Sequence, residues 1–362
     1  MLGTIKVLVV DDQLLMRKII VDIFAADKRF EVVGEASNGK QALEQAKKLK
    51  PDLITLDVEM PIMDGITCLK QLMRDQPTPV IMVSSITYEG GFRTMQALDS
   101  GAFDYIQKPR AQNASSLLDV AAQLKEKAYE AFNSRYIDKL KKQKTSIAST
   151  FAVKIAGQLP SPSKKVTQYM SFDSRVIAIG ISTGGPPCLS QIFAELPEKS
   201  PPVLVVQHMP EGFTKAMADR IDKISRMTVV EAEDGMPLRE GVGYIAPGHS
   251  HLLVEKKTGM PVVRLSKGAL VSGHRPSADA LFETVANVFG QRAAGVIMTG
   301  MGRDGATQIK AMHERGALTV AQDKESCTVF GMPKAAIEEG AIDEILSLDQ
   351  ITAFLKKIAQ KK

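Results

Sequence analysis

The sequence predicts an α/β protein of two domains: an N-terminal five-stranded, parallel, doubly wound sheet, then a C-terminal domain with a mixed, mostly parallel sheet. Three observations carry this. At 362 residues the chain is long enough for two ordinary cores. Apolar strand-like runs alternate with amphipathic helical runs in both halves, the pattern of parallel βα units. Between the halves, "KKQKTSIAST" and "GQLPSPSKK" are rich in Lys, Gln, Ser and Pro, the composition of a connector.

In the first half the expected strands are "IKVLVV", "EVVGEA", "LITLD", "VIMVSS" and "FDYIQK". Helical spacing lies between them, as in Ala42, Ala46 and Leu49, then Ile66, Leu69 and Met73. A last helix is expected from the steps Leu117, Ala121, Leu124, Ala128, Phe132, Tyr136 and Leu140, running into the connector. In the second half "RVIAIGI", "PVLVVQH", "TVVEA", "GVIMTG" and "LTVAQD" read as strands, and "KKTGMP" as a hairpin turn ahead of "VVRLSK". The chain thus divides into residues 1–128, a connector at 129–173 and a second domain at 174–362.

Composition narrows the class. Apolar residues make up 44% and charged residues 24%, which excludes wholesale disorder and fibrous folds. No apolar run approaches the roughly 18 residues of a membrane span, and "MLGTIKVLVVDDQ" meets acidic residues too early for a signal peptide. A cytoplasmic location without membrane insertion is expected. Cys68, Cys188 and Cys327 are far apart with no CxxC, which points to buried free thiols. The net charge of +5 sits largely in "KLKKQK" and the tail "KKIAQKK", without aromatic interleaving or a helix-turn-helix pattern, so no nucleic-acid partner is expected.

In the first domain Asp11 and Asp12 close one strand and Asp57 another. Carboxyl ends of strands border the ligand crevice of an open α/β sheet, so the three should converge and suit magnesium. Ser84 and Lys108, at two further strand ends, add a hydroxyl and a point positive charge for an anion. These positions, with "DVEMPIMDG" and the Lys-Pro pair, resemble the response-regulator receiver family over residues 5 to about 128. The resemblance implies that Asp57 accepts phosphate from a histidine kinase, that Asp11 and Asp12 help bind Mg2+, and that the main chain at Glu59 completes the metal shell. It makes Ser84 the switch hydroxyl and Lys108 the phosphoryl contact.

In the second domain, residues 180–184 fit G-x-S-x-G, which seats Ser182 on a sharp strand-to-helix turn. Alone the pattern is equally a structural turn or an anion cradle at a helix N-terminus. A serine nucleophile needs a base. Of five histidines, only His208 ends an apolar strand; His249, His251, His274 and His313 read as surface or capping residues. Asp304 is the sole carboxylate of the loop in "GVIMTGMGRDG". Three strands of one sheet would then deliver Ser182, His208 and Asp304 to one edge, in a chain order that differs from the α/β-hydrolase order.

"GISTGGP", "VVQHMP", "YIAPG", "HRPSADALF", "TGMGRDGA" and "FGMPKAA" together resemble the catalytic domain of the chemotaxis protein-glutamate methylesterase (CheB) family over about 174–358. The resemblance implies a catalytic triad of Ser182, His208 and Asp304, an oxyanion contact from the Met301 main-chain amide and an assisting role for Thr183. Arg303 departs from the asparagine familiar there. The implied activity is hydrolysis of glutamate γ-methyl esters, with deamidation of particular glutamines. Methyl-accepting chemoreceptors are the implied substrate, a chemotaxis histidine kinase the phosphodonor, and the hydrolase needs no cofactor. Two other classes fit the sequence less well: a nucleotide-binding module built on Gly180, Gly184 and Gly185 needs G-x-G-x-x-G or a P-loop lysine at those glycines, and a receiver-linked transcription factor needs a basic recognition helix in 174–362, none of which is present there.

Overall fold

The computed structural model describes residues 4–85, 88–108, 114–134, 136–138 and 175–360. The expected connector lies largely outside them, as does Leu140 at the end of the expected helical run. The chain forms two compact units, Met1–Ser161 and Pro162–Lys362.

The first unit alternates β1 (Ile5–Val10), α1 (Leu14–Ala25), β2 (Phe30–Ala36), α2 (Gly39–Leu49), β3 (Leu53–Asp57), α3 (Gly65–Asp75), β4 (Val80–Ser84), α4 (Tyr88–Asp99), β5 (Asp104–Gln107) and α5 (Ala114–Asn133). All strand pairs are parallel, in the order β2-β1-β3-β4-β5. Val7, Leu8, Val9 and Val10 are fully buried, the continuous apolar run of a strand covered on both faces. Asn38 and Asp64 cap α2 and α3 by accepting from the Gln41 and Thr67 N–H groups. The strand order reverses between β1 and β3, which puts their carboxyl ends at the topological switch point. α5 passes residue 128 and ends at Asn133.

The second unit contains β6 (Val176–Ile181), α6 (Gly185–Glu195), β7 (Val203–Gln207), α7 (Phe213–Ile224), β8 (Thr228–Glu231), β9 (Val242–Ile245), β10 (His251–Lys257), β11 (Met260–Ser266), α8 (Ala278–Phe289), β12 (Ala293–Ile297), α9 (Ala306–Glu314), β13 (Leu318–Gln322), α10 (Met332–Glu338), β14 (Glu344–Leu346) and α11 (Leu348–Gln360). Seven strands pair in parallel as β14-β13-β12-β6-β7-β9-β8. The antiparallel component is a separate hairpin, β10 with β11, turning through Thr258 and Gly259 at φ 49° and 82°. Two successive positive φ values make the turn whose twist suits a two-residue hairpin. Apolar faces of α8 (Leu281, Phe282, Val285, Phe289) bury against this core. Leu189, Ile192 and Phe193 of α6 are also fully buried. All three cysteines are buried free thiols.

Candidate active site and acidic pocket

β12, β6 and β7 are consecutive in the sheet, and their carboxyl ends carry the loops that hold Asp304, Ser182 and His208. Gly184 sits at φ 80° as the N-cap of α6, and a side chain there would meet Thr328 Oγ1 at 2.2 Å, so the turn after Ser182 requires glycine. Pro186 and Pro187 open the helix. The Ser182 N–H donates to Thr299 O at 2.9 Å, and the His208 N–H to Ile181 O at 3.2 Å. Gln207 Nε2 donates to both Ser182 O (3.0 Å) and His208 O (3.2 Å), tying the two strand ends together. Gly300 brings the loop after β12 so near that an added Cβ would lie 2.7 Å from Ser182 Cβ. Met301 follows, and no group among the described residues accepts from its N–H. Thr183 is buried, its carbonyl accepting from Thr299 Oγ1 at 2.9 Å.

His208 and Asp304 are in direct contact, Nε2 to Oδ2 at 2.7 Å, with side chains 10% and 0% exposed. Asp304 is held at the N-terminus of α8. Its Oδ2 also accepts from the Ala278 N–H (2.7 Å), and its Oδ1 from Ser277 Oγ (2.6 Å) and the Asp279 N–H (3.1 Å). Burial opposes the Asp304 charge, yet His208, Ser277 and Ala278 outweigh it and hold the carboxyl below its ordinary range. An anionic Asp304 fixes the proton on Nε2. His208 Nδ1 is then left as the lone-pair nitrogen, and it is buried without a hydrogen-bond partner among the described residues. The Ser182 side chain likewise has no partner among them.

Two of the four histidines expected at the surface are placed otherwise. His251 begins β10, 3% exposed, because its side chain is turned inward to Ala269 O (2.9 Å). His274 stacks on His208, with ring centroids 3.9 Å apart and planes 8° from parallel. Burial, then the nearby His208, push its pKa down to about 4. His249 and His313 pair loosely with Glu211 and Asp343 at the surface. Ser277 and Gln207 also escaped the sequence reading, although a serine just ahead of an apolar helical run is an N-cap signal. Arg303 points to Glu339 (2.8 Å) and is 68% exposed.

In the first unit, Asp11, Asp12 and Asp57 present carboxylate oxygens within 4.8 Å of one another. Lys108 Nζ lies 2.7 Å from Asp57 Oδ2 and 2.9 Å from Asp11 Oδ2. Asp11 Oδ2 nevertheless lacks a hydrogen bond of good geometry. Burial and the Asp11 charge push the Asp57 pKa up to about 6, with Lys108 opposing. Three carboxylates with an under-satisfied oxygen and one countercharge fit a hard dication. The Glu59 N–H points to Asp57 Oδ1 at 3.4 Å. Ser84 is buried one residue beyond Val83, the β4 partner of Asp57.

These features define a class: a receiver-like doubly wound domain with an acidic pocket, joined to a parallel α/β domain that brings a serine, a histidine and an aspartate to one sheet edge. Residues 7–119 match the response regulator receiver domain model and residues 177–355 the CheB methylesterase model. The chain is 42% identical to the protein-glutamate methylesterase/protein-glutamine glutaminase of Pyrococcus horikoshii, over 98% of this chain and 94% of that protein. It is 43% identical to the protein of the same name from Halalkalibacterium halodurans, over 96% of each. The crystal structure of the Thermotoga maritima CheB methylesterase catalytic domain matches with a TM-score of 0.50 at 41% identity, covering 51% of this chain and 98% of that one. The chain belongs to the protein-glutamate methylesterase/protein-glutamine glutaminase family.

Proposed function

We propose that Ser182, His208 and Asp304 hydrolyse glutamate γ-methyl esters on chemoreceptors and that phosphate on Asp57 controls the reaction. Membership of the family makes the chain a protein-glutamate methylesterase/protein-glutamine glutaminase, and its receiver domain puts that activity under phosphorylation control. The observation that carries the residue assignment is the His208–Asp304 pair, 2.7 Å apart, with Nδ1 of the same ring buried and unpartnered.

In this reading Ser182 Oγ attacks the ester carbonyl while its proton passes to His208 Nδ1. The carbonyl oxygen becomes an oxyanion, received by the Met301 N–H and assisted by Thr183. Collapse of the adduct expels methanol, which takes the proton back from His208. Water, deprotonated by the same nitrogen, then attacks the acyl-serine; collapse breaks the bond to Ser182 Oγ, which takes the proton back from His208, and leaves a glutamate side chain on the receptor. An amide follows the same path with ammonia as leaving group.

For control, Asp11, Asp12, Asp57 and the Glu59 main chain would hold magnesium, which when bound neutralises charge around the transferring phosphoryl group. Lys108 contacts the phosphoryl group and Ser84 senses it. The donor is a chemotaxis histidine kinase, and the setting is the cytoplasm, where such a kinase works. The working division is a receiver at 1–128, a connector at 129–173 and the catalytic domain at 174–362. Phosphate on Asp57 raises the hydrolytic activity.

The test is methanol release from methylated receptor membranes by the full chain, with and without a small phosphodonor. Release should rise with phosphodonor in the parent, fall to background in Ser182→Ala and His208→Ala, and lose its phosphodonor response in Asp57→Ala. Near-parental release by either triad variant overturns the residue assignment, and equal rates with and without phosphodonor overturn the control.

A further inference from the structure

The loop between β11 and α8, residues 267–277, touches both members of the His208–Asp304 pair, His208 through His274 and Asp304 through Ser277. Ser272 and Gly273, at φ 51° and 80°, form a tight turn closed by reciprocal hydrogen bonds: the Val271 N–H donates to His274 O at 3.1 Å and the His274 N–H to Val271 O at 2.9 Å. Ser272 Oγ is anchored 2.6 Å from Asp279 Oδ2, and the other oxygen of that carboxylate accepts from the Gln308 N–H at 2.9 Å. Arg275 closes the neck of the loop through Lys267 O and Gly268 O, and His251 holds Ala269 O. The loop is therefore fixed on α8, α9 and β10, and His274 is delivered rigidly onto the His208 ring.

The contact does something that Asp304 cannot. One hydrogen bond at Nε2 sets where that nitrogen points, but it leaves the ring free to turn about the hydrogen-bond axis, and the terminal torsion of histidine is broad. Turning about that axis would change where Nδ1 points. A flat ring lying 3.9 Å above and 8° from parallel removes that freedom. His274 also stays neutral at pH well above 4, since burial and the neighbouring His208 oppose its charging more than Asp304 favours it. A neutral aromatic face accepts an imidazolium beneath it, as a cation over a ring does.

We propose that His274 is a positioning residue that sets the plane of the His208 ring and so aims Nδ1 at the serine hydroxyl; the proposal rests on His208 being the base. It is tested by steady-state methanol release from the full chain with phosphodonor, comparing His274→Ala, His274→Leu and His274→Phe. His274→Ala should lower kcat by about 10- to 100-fold with KM within about twofold, the cost of a misaimed group of this size. His274→Leu, which fills volume without a flat face, should stay low, and His274→Phe should recover to within about threefold of the parent. Parental kcat in the alanine variant overturns the proposal, and so does a phenylalanine variant no better than leucine. The leucine and phenylalanine variants keep the site filled, so their comparison stands even if the alanine variant folds poorly. His208→Ala in the same assay separates the two readings: if it is active the base itself is wrong, whereas an inactive His208→Ala beside a fully active His274→Ala removes the stacking role alone.

Discussion

His208 meets Asp304 through Nε2, at 2.7 Å, and keeps Nδ1 buried and unpartnered. The nitrogen nearer the main chain is thus the one available to a nucleophile, and the ring's far edge is committed to the carboxylate.

Replacing Asp304 by Asn should therefore damage the base electronically more than sterically. The amide would set N–H donors against the donors from Ser277, Ala278 or His208, and the proton would no longer be held on Nε2. We expect kcat to fall by about 10³- to 10⁴-fold with little change in KM. Steady-state methanol release measures this, and a loss below about tenfold would count against the assigned role.

Ser277→Ala removes a hydroxyl that serves twice. It donates to Asp304 Oδ1 at 2.6 Å and accepts from the Ala280 N–H at the start of α8. Loss of the cap should cost about 1 kcal/mol of stability. The carboxylate keeps its three other donors, so kcat should drop by only about 3- to 30-fold. Thermal unfolding and kinetics on one preparation check both numbers.

The pH dependence of stability should carry the signature of His274. Its pKa falls from 6.5 in a free chain to about 4 in the fold, so between those values the unfolded chain binds a proton that the folded chain refuses. The stability present above pH 6.5 is then lost as pH falls toward 4, by on the order of 1–3 kcal/mol. His274→Phe has no such proton to bind. Its melting temperature should decline less between pH 7 and pH 5 than that of the parent, and equal declines would refute the assignment of this acid sensitivity to His274.

In the receiver, Lys108→Ala removes the only cation within ion-pair distance of Asp11 and Asp57 among the described residues. Stimulation by phosphodonor should be lost, while unstimulated esterase activity stays within about twofold, because Lys108 belongs to a different unit from the proposed triad. Chelation of divalent cations should likewise stop label from a phosphodonor appearing on Asp57 in the parent. Retained stimulation in Lys108→Ala would contradict the phosphoryl contact.

What could be read from the sequence followed strand ends. Ser182, His208, Asp11, Asp57 and Ser84 all close apolar runs or stand one residue beyond them, where an open sheet exposes side chains at its crevice. Periodicity located the helices because their buried positions recur, as with Ala42 and Ala46 in α2. It could not find His274, which lies in a loop whose shape comes from a turn at Ser272–Gly273 and an anchor on Asp279 seven residues away. Gln207 was hidden for a different reason: it is the last residue of β7, and only strand pairing reveals that its amide bridges two strand ends. The strand "VGYI" escaped notice because its two aliphatic residues are split by a glycine and a tyrosine, which leaves no aliphatic run beside the "APG" turn that follows, although β9 joins β7 to β8 in the sheet.

Asp304 has no spare valence. Both oxygens are taken up, three of the four donors come from the first residues of one helix, and the side chain is wholly enclosed. Such an anchor makes a poor dial: it cannot be loosened by degrees without uncapping α8. With the proposed triad, a regulator has leverage over who reaches Ser182, and very little over how the proton moves once a substrate is there.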